Sequence, residues 1–87
     1  MNVKTYEFNV LLKSVAEITD EQADALFSAG CDDGTPASSG GLAWIHFDRH
    51  ANSLEEAIHS AVEQVQSAGL VVAKVELEVK APMSLGA

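Results

Sequence analysis

The chain has 87 residues, enough for one domain and no more. Its 47% hydrophobic content describes a folded globular chain, and its longest apolar runs fall far short of the ~20 residues that a membrane span needs. Thirteen acidic against five basic residues give a net charge of −8, which repels phosphate backbones and argues against nucleic acid as a partner.

The N-terminal MNVKTYEFN has no apolar stretch followed by a small-residue cleavage site, so export is not expected. Cys31 is the only cysteine. It cannot form an intrachain disulfide, and a structural zinc site of the usual kind needs several Cys or His ligands. A reducing cytoplasm is the expected setting. No cofactor is expected.

KTYEFNVLLK, residues 4 to 13, alternates. Tyr6, Phe8, Val10 and Leu12 share one face, while Thr5, Glu7, Asn9 and Lys13 share the other, with Leu11 as the apolar exception. That is a half-buried strand. A helix follows in ITDEQADALFSAG. Thr19 is its N-cap and Gln22 completes a capping box, with Ile18 placed to staple onto Ala23. Asp20 and Glu21 sit in the first turn, where the helix dipole favours acids. Ala23, Leu26 and Phe27 form the apolar stripe, and Gly30 ends the helix.

CDDGTPASSGG is the least regular stretch. Pro36 and its small neighbours suit a short edge strand or an extended loop, and Gly40-Gly41 reads as a turn. GLAWIHFDR is a strand in which Ala43, Ile45 and Phe47 alternate with Leu42, Trp44 and His46. ANSLEEAIHSAVEQVQSAG is a second helix. Ser53 caps it and Glu56 completes a second capping box. Leu54, Ala57, Ile58, Ala61, Val62, Val65 and Ala68 follow helical spacing, and Gly69 terminates the element. In LVVAKVELEVK, Ala73, Val75, Leu77 and Val79 alternate with Lys74, Glu76, Glu78 and Lys80. Residues 81 to 87 read as a frayed tail.

The order strand, helix, weak strand, strand, helix, strand predicts an α+β fold of the ferredoxin-like βαββαβ kind over residues 1 to 80. Its four-stranded antiparallel sheet would carry two helices on one face and leave the other face open.

GGLAWIHF, residues 40 to 47, tests one use of such a face. It partly matches the RNP1 strand of RNA-recognition domains, at Gly41, Ala43 and Phe47. The outward aromatics that stack on bases would stand at Leu42 and Trp44, and the basic position is Gly40. The outward candidates on the first strand are Glu7 and Asn9, and a carboxylate there repels a phosphate backbone. RNA binding therefore ranks last. An open face with Trp44, Leu42, Leu11 and His46 reads better as a protein-contact surface.

His46, Asp48 and His50 recur at strand spacing and, joined by Cys31, Asp32 or Asp33, would make a zinc or nickel set. The spacing matches no known metal motif and a strand end running into a solvated loop explains it, so no metal is assigned. Cys31 follows a helix C-terminus beside Asp32 and Asp33, whose charge would raise its pKa. It reads as a packed small hydrophobe, and the two aspartates as holders of the turn through side-chain-to-backbone bonds.

Related topologies with known chemistry lack their parts here. SVAEIT, residues 14 to 19, has neither the arginine of acylphosphatases nor the paired cysteines of heavy-metal-associated domains, nor the glycine-bearing turn of ACT domains. No glycine loop for phosphate and no catalytic spacing of Ser, His and Asp is present, so the chain reads as not an enzyme.

Three segments carry a resemblance: ITDEQADALFSAGCDDGTP, FDRHANSLEEAIHSAVEQVQSAGL and VAKVELE. Leu26, Ala29, Gly30, Cys31, Asp32 and Asp33 carry the first motif. Phe47, Asp48, Arg49, Ala51, Leu54, Glu55, Ala57, Ile58, Ser60, Ala61, Val65 and Gly69 carry the second. Over roughly residues 5 to 78 the chain resembles an uncharacterised family of small bacterial proteins. Longer relatives in that family continue into a helix-turn-helix, which implies DNA-binding regulators. This sequence carries APMSLGA there instead, and His50 stands where the family pattern has an acid. The resemblance implies the partner or sensing half of a regulator, and it carries no activity to transfer.

Three functions remain in order. The first is a non-catalytic interaction domain that pairs with itself or a protein partner. The second is an acidic, antitoxin-like or mimic partner of a basic protein, using helix faces at Asp20, Glu21, Asp24, Glu55, Glu56 and Glu63. The third is a metal or small-ligand sensor.

Overall fold

The computed structural model describes residues 3–77. β1 (Lys4–Leu12), α1 (Asp20–Ser28), β2 (Gly34–Ser39), β3 (Leu42–Ala51), α2 (Leu54–Ser67) and β4 (Val72–Leu77) follow in chain order. The four strands form one antiparallel sheet in the order β2-β3-β1-β4. This is the ferredoxin-like βαββαβ arrangement. The strand at residues 34–39 settles the irregular stretch as an edge strand, with Pro36 at the sheet edge, where a missing N–H is tolerated. The frayed tail expected at residues 81 to 87 and the end of the last expected strand lie outside the described residues.

Local chemistry sets the element ends. The Thr19 hydroxyl accepts from the Gln22 amide at 3.1 Å, and the Gln22 side chain accepts from the Thr19 amide at 2.9 Å. At α2 the Ser53 hydroxyl accepts from the Glu56 amide at 3.2 Å; the return bond of a full capping box is not made among the described residues. Gly30 follows α1 with φ of +107°, the left-handed region that favours glycine. A Cβ there would also sit 2.7 Å from the Gln64 amide of α2. Gly40 and Gly41, at φ of +58° and +84°, make the tight turn between β2 and β3, a geometry that matches the twist of paired strands.

The core lies between the sheet and the helices. Phe8, Val10 and Leu12 of β1 and Ala43, Ile45 and Phe47 of β3 are buried against Ala57, Ala61 and Val65 of α2 and Leu26 of α1. Phe8 and Phe47 face each other in register and stack with ring centroids 5.5 Å apart. The helices differ in how much they contribute. Three residues of α2 are fully buried, but only Leu26 of α1, and Phe27, expected in the α1 stripe, is 68% exposed.

One correction falls on β4. Strict alternation would put Ala73 with Val75 and Leu77. A bulge between Leu11 and Leu12 pairs Leu11 with Lys74 and Leu12 with Val72, so one β4 residue is skipped. The extra residue reverses the alternation. Val72 therefore packs against the core, and Ala73 lines the opposite face.

Candidate functional site

The face of the sheet away from the helices is built mainly by β1 and β3. Their register places Thr5 opposite His50, Glu7 opposite Asp48, Asn9 opposite His46 and Leu11 opposite Trp44. Side chains directly across an antiparallel pair touch, so these four pairs are units of the surface. They grade from polar at the Thr5 end to apolar at the Leu11 end.

The polar end holds a histidine between two acids. Asn9 Oδ1 lies 2.7 Å from His46 Nδ1, so the amide oxygen accepts and Nδ1 carries the proton. Nε2 is the ring nitrogen on the side of the two acids. It stands 3.8 Å from a Glu7 oxygen and 3.7 Å from an Asp48 oxygen. One ligand atom from each of these residues lies within 4.8 Å of the others.

This differs from the expected set in two ways. His50 is not part of the group: it stands one pair further along the ladder, opposite Thr5, with its Nδ1 2.8 Å from Thr5 Oγ1. Cys31, Asp32 and Asp33 belong to the α1–β2 junction on the helix side and contribute nothing to this cluster. Glu7, which the sequence gives only as an outward residue, takes their place through the β1–β3 register.

The apolar end carries the expected contact residues. Leu42 is 54% exposed, while Leu11 and Trp44 are half-buried. With Asn9, Leu12, Ala73, Lys74 and Glu76 they line a hollow of about 420 Å³. At its rim Lys74 Nζ and Glu76 Oε2 pair at 3.2 Å. Of the outward positions that base stacking would use, Leu42 and Glu7 or Asn9 are not aromatic, and Trp44 alone offers a ring.

The opposite face of β3 holds a second charged cluster. Arg49 is 8% exposed, two residues beyond Phe47 on the buried side. Its Nε and Nη2 donate to the two Asp33 carboxylate oxygens at 2.8 and 2.7 Å. Nη1 donates to Ser60 Oγ at 3.0 Å and Nη2 to the Gly30 carbonyl at 3.4 Å. The guanidinium carbon lies 4.9 Å from the centre of the Phe47 ring. Asp33 thus grips a side chain and does not brace the turn through its carboxylate as expected; a buried guanidinium demands a counter-charge more strongly than a turn demands a bond. The turn is held by backbone, with the Gly34 amide donating to the Cys31 carbonyl. Gly30, Asp33, Arg49 and Ser60, drawn from the α1–β2 junction, β3 and α2, meet in this one bridge.

Cys31 is buried beside it, as a packed small residue. Burial is the main cause that pushes its thiol pKa up; Arg49 opposes it, and Asp33 and Asp32 add to it. The aspartates were the expected cause, and they are secondary. Asp20, Glu21, Asp24, Glu55, Glu56 and Glu63 are all exposed on the helix layer.

Fold and surface together define a ferredoxin-like domain with one sheet face uncovered by helices and graded from an acid–histidine cluster to an apolar hollow. Comparison with protein-family models, with curated proteins and with solved structures gives no match to this chain. Among the described residues, no helix is long and apolar enough to cross a membrane.

Proposed function

We propose that this is a non-catalytic interaction domain, working in the cytoplasm, which pairs with a second copy of itself through the apolar end of the open sheet face. The carrying observation is the hollow formed by Leu11, Leu42, Trp44 and Ala73 on a sheet whose other face already holds the core. Tryptophan at the centre of an apolar patch is the side chain most enriched among binding hot spots. The rim supports a second copy as the occupant. A two-fold contact brings the same patch to itself, so residue i meets j and j meets i. Lys74 and Glu76 stand side by side on one strand, and each can meet its opposite on the partner. A regulator's partner half, as the family resemblance implies, would work through such a contact.

Light scattering or sedimentation across a concentration series tests this. The wild type is expected to show a concentration-dependent dimer, and Trp44→Ala to shift the balance to monomer with an unchanged circular-dichroism spectrum. A wild-type monomer at all concentrations, or a dimer indifferent to Trp44→Ala, overturns the reading.

A second reading draws on the helix layer. The six exposed carboxylates at Asp20, Glu21, Asp24, Glu55, Glu56 and Glu63 suit a basic protein partner. Binding of that kind weakens steeply with salt. A partner held equally at low and high salt excludes it.

A further inference from the structure

β2 is an outermost strand, so one of its edges has no strand beside it. Its register with β3 sets Gly34 opposite Phe47, Pro36 opposite Ile45 and Ser38 opposite Ala43, which makes these three the core-side residues of β2. All three are small. At Gly34 nothing larger fits, because a Cβ would stand 2.7 Å from the Ile45 side chain. α1 lies above them and buries only Leu26. Small residues below and a thinly packed helix above leave a hollow of about 140 Å³ between the two elements. Ala23, Leu26 and Phe27 of α1 line it together with Cys31, Pro36 and Ile45.

An apolar cavity of about 150 Å³ admits one benzene ring. The hollow therefore has room for one aromatic or branched aliphatic side chain. It opens to solvent beside Phe27, whose ring is left 68% exposed. The charge around it is of one sign. Asp32 belongs to the lining. Asp24 precedes Phe27 by three residues and Asp20 precedes Ala23 by three, which makes each pair neighbours on the helix surface. All three aspartates are exposed. No lysine or arginine occurs between Lys13 and Arg49, and Arg49 is committed to Asp33.

We propose that the cleft between α1 and the edge of β2 docks a basic segment of a partner protein. One large apolar side chain of that segment enters the hollow, while lysines or arginines on either side of it meet Asp20, Asp24 and Asp32. The anchor in its pocket excludes water and supplies the grip. The charges steer the encounter and fix the direction of the segment. This rests on the reading of the helix layer as a surface for a basic protein, and narrows it to α1. It is independent of self-pairing, because the hollow at Trp44 lies on the opposite face of the sheet. A second copy fits this cleft poorly, since a two-fold contact would bring the same acids against themselves.

Nuclear magnetic resonance titration of the isotope-labelled full chain with the end-blocked pentapeptide KRFRK is the test. Saturable shifts are expected at Ala23, Leu26, Phe27, Cys31 and Asp32. They are expected to weaken as salt rises from about 0.1 M to about 1 M, where the screening length falls from about 10 Å to about 3 Å. The peptide KRARK keeps the charge and lacks the ring, and is expected to lose most of the binding. EDFDE keeps the ring and inverts the charge, and is expected to lose all of it. Ala23→Leu, which fills the hollow from the helix, is expected to abolish the saturable shifts. So is Asp24→Lys combined with Asp32→Lys, which changes exposed positions and leaves the core untouched. Binding that survives this double variant overturns the proposal. Equal binding of KRFRK and KRARK, with shifts spread over both helices, overturns the cleft and leaves the wider acidic surface standing. No shift with either peptide overturns both. Shifts centred on Leu42 and Trp44 overturn the cleft by moving the site to the open face. Shifts in the cleft that follow protein concentration without peptide overturn it in favour of a second copy.

Discussion

β3 separates two charged clusters that differ in almost every respect. Arg49 on the helix side is nearly buried, bonded to both oxygens of Asp33, and backed by Ser60, Gly30 and the Phe47 ring. Its charges balance one to one. His46 on the open side stands between two acids at 3.7 and 3.8 Å, distances too long for hydrogen bonds, and is partly in solvent. A cluster that is closed and neutral fixes structure. The residues are three apart on one strand, so strand parity alone decides which role each plays.

The most damaging way to break this comparison is to unbalance the buried side. Asp33→Ala leaves a guanidinium stranded at a site that is 8% exposed. Breaking a buried pair in this way costs about 3–5 kcal/mol, a large share of the roughly 5–15 kcal/mol that a domain has. Urea unfolding at 25 °C is expected to show that loss. Arg49→Met is expected to cost less, because the carboxylate it leaves behind is 30% exposed and can hydrate. If the two variants lose the same, hydration of Asp33 is not what separates them. If neither loses much, the bridge does not hold the α1–β2 junction.

Cys31 gives a second, pH-dependent view of the same side. Its folded-state pKa is raised, mainly by burial. Folding thus favours the neutral thiol. The stability this contributes is fully present below the ordinary thiol value near 9.0 and is lost as the pH rises through the range where only the unfolded chain would ionise. Urea midpoints are expected to fall above pH 9 in the wild type, and Cys31→Ala is expected to flatten that fall. An equal fall in both would assign the effect to other groups. At neutral pH the buried thiol is expected to react with a disulfide reagent only as fast as the domain opens.

Much of this was legible in the sequence, and the exceptions have physical causes. Alternation in β1 and the capped periodicity of α2 give the element order, and the order gives the sheet. The outward set Leu11, Leu42, Trp44 and His46 follows from parity alone. What parity cannot supply is register. Glu7 is visibly outward, but only pairing places it opposite Asp48 and within reach of His46, and moves His50 one pair away to Thr5. The Ala73 bulge is hidden for the same reason, since it exists only between two strands. Arg49 is a different kind of miss. The alternation Ala43, Ile45, Phe47 runs on to it, and a charge on the buried parity calls for a counter-charge nearby. Asp33 is the acid that supplies it, but its sequence neighbours place it with the turn after α1.

The smallest expected effect separates the two clusters most clearly, because its sign differs between them. Removing an acid from the buried side destabilises. Removing one from the open side is expected to stabilise, since Glu7→Gln relieves a like-charge pair with Asp48 and leaves no buried partner stranded. The gain expected is about 0.2–1 kcal/mol in urea unfolding. A Glu7→Gln variant less stable than wild type would mean that Glu7 is held by bonds as firm as those of Asp33. The open cluster would then be a structural bridge like the one behind it.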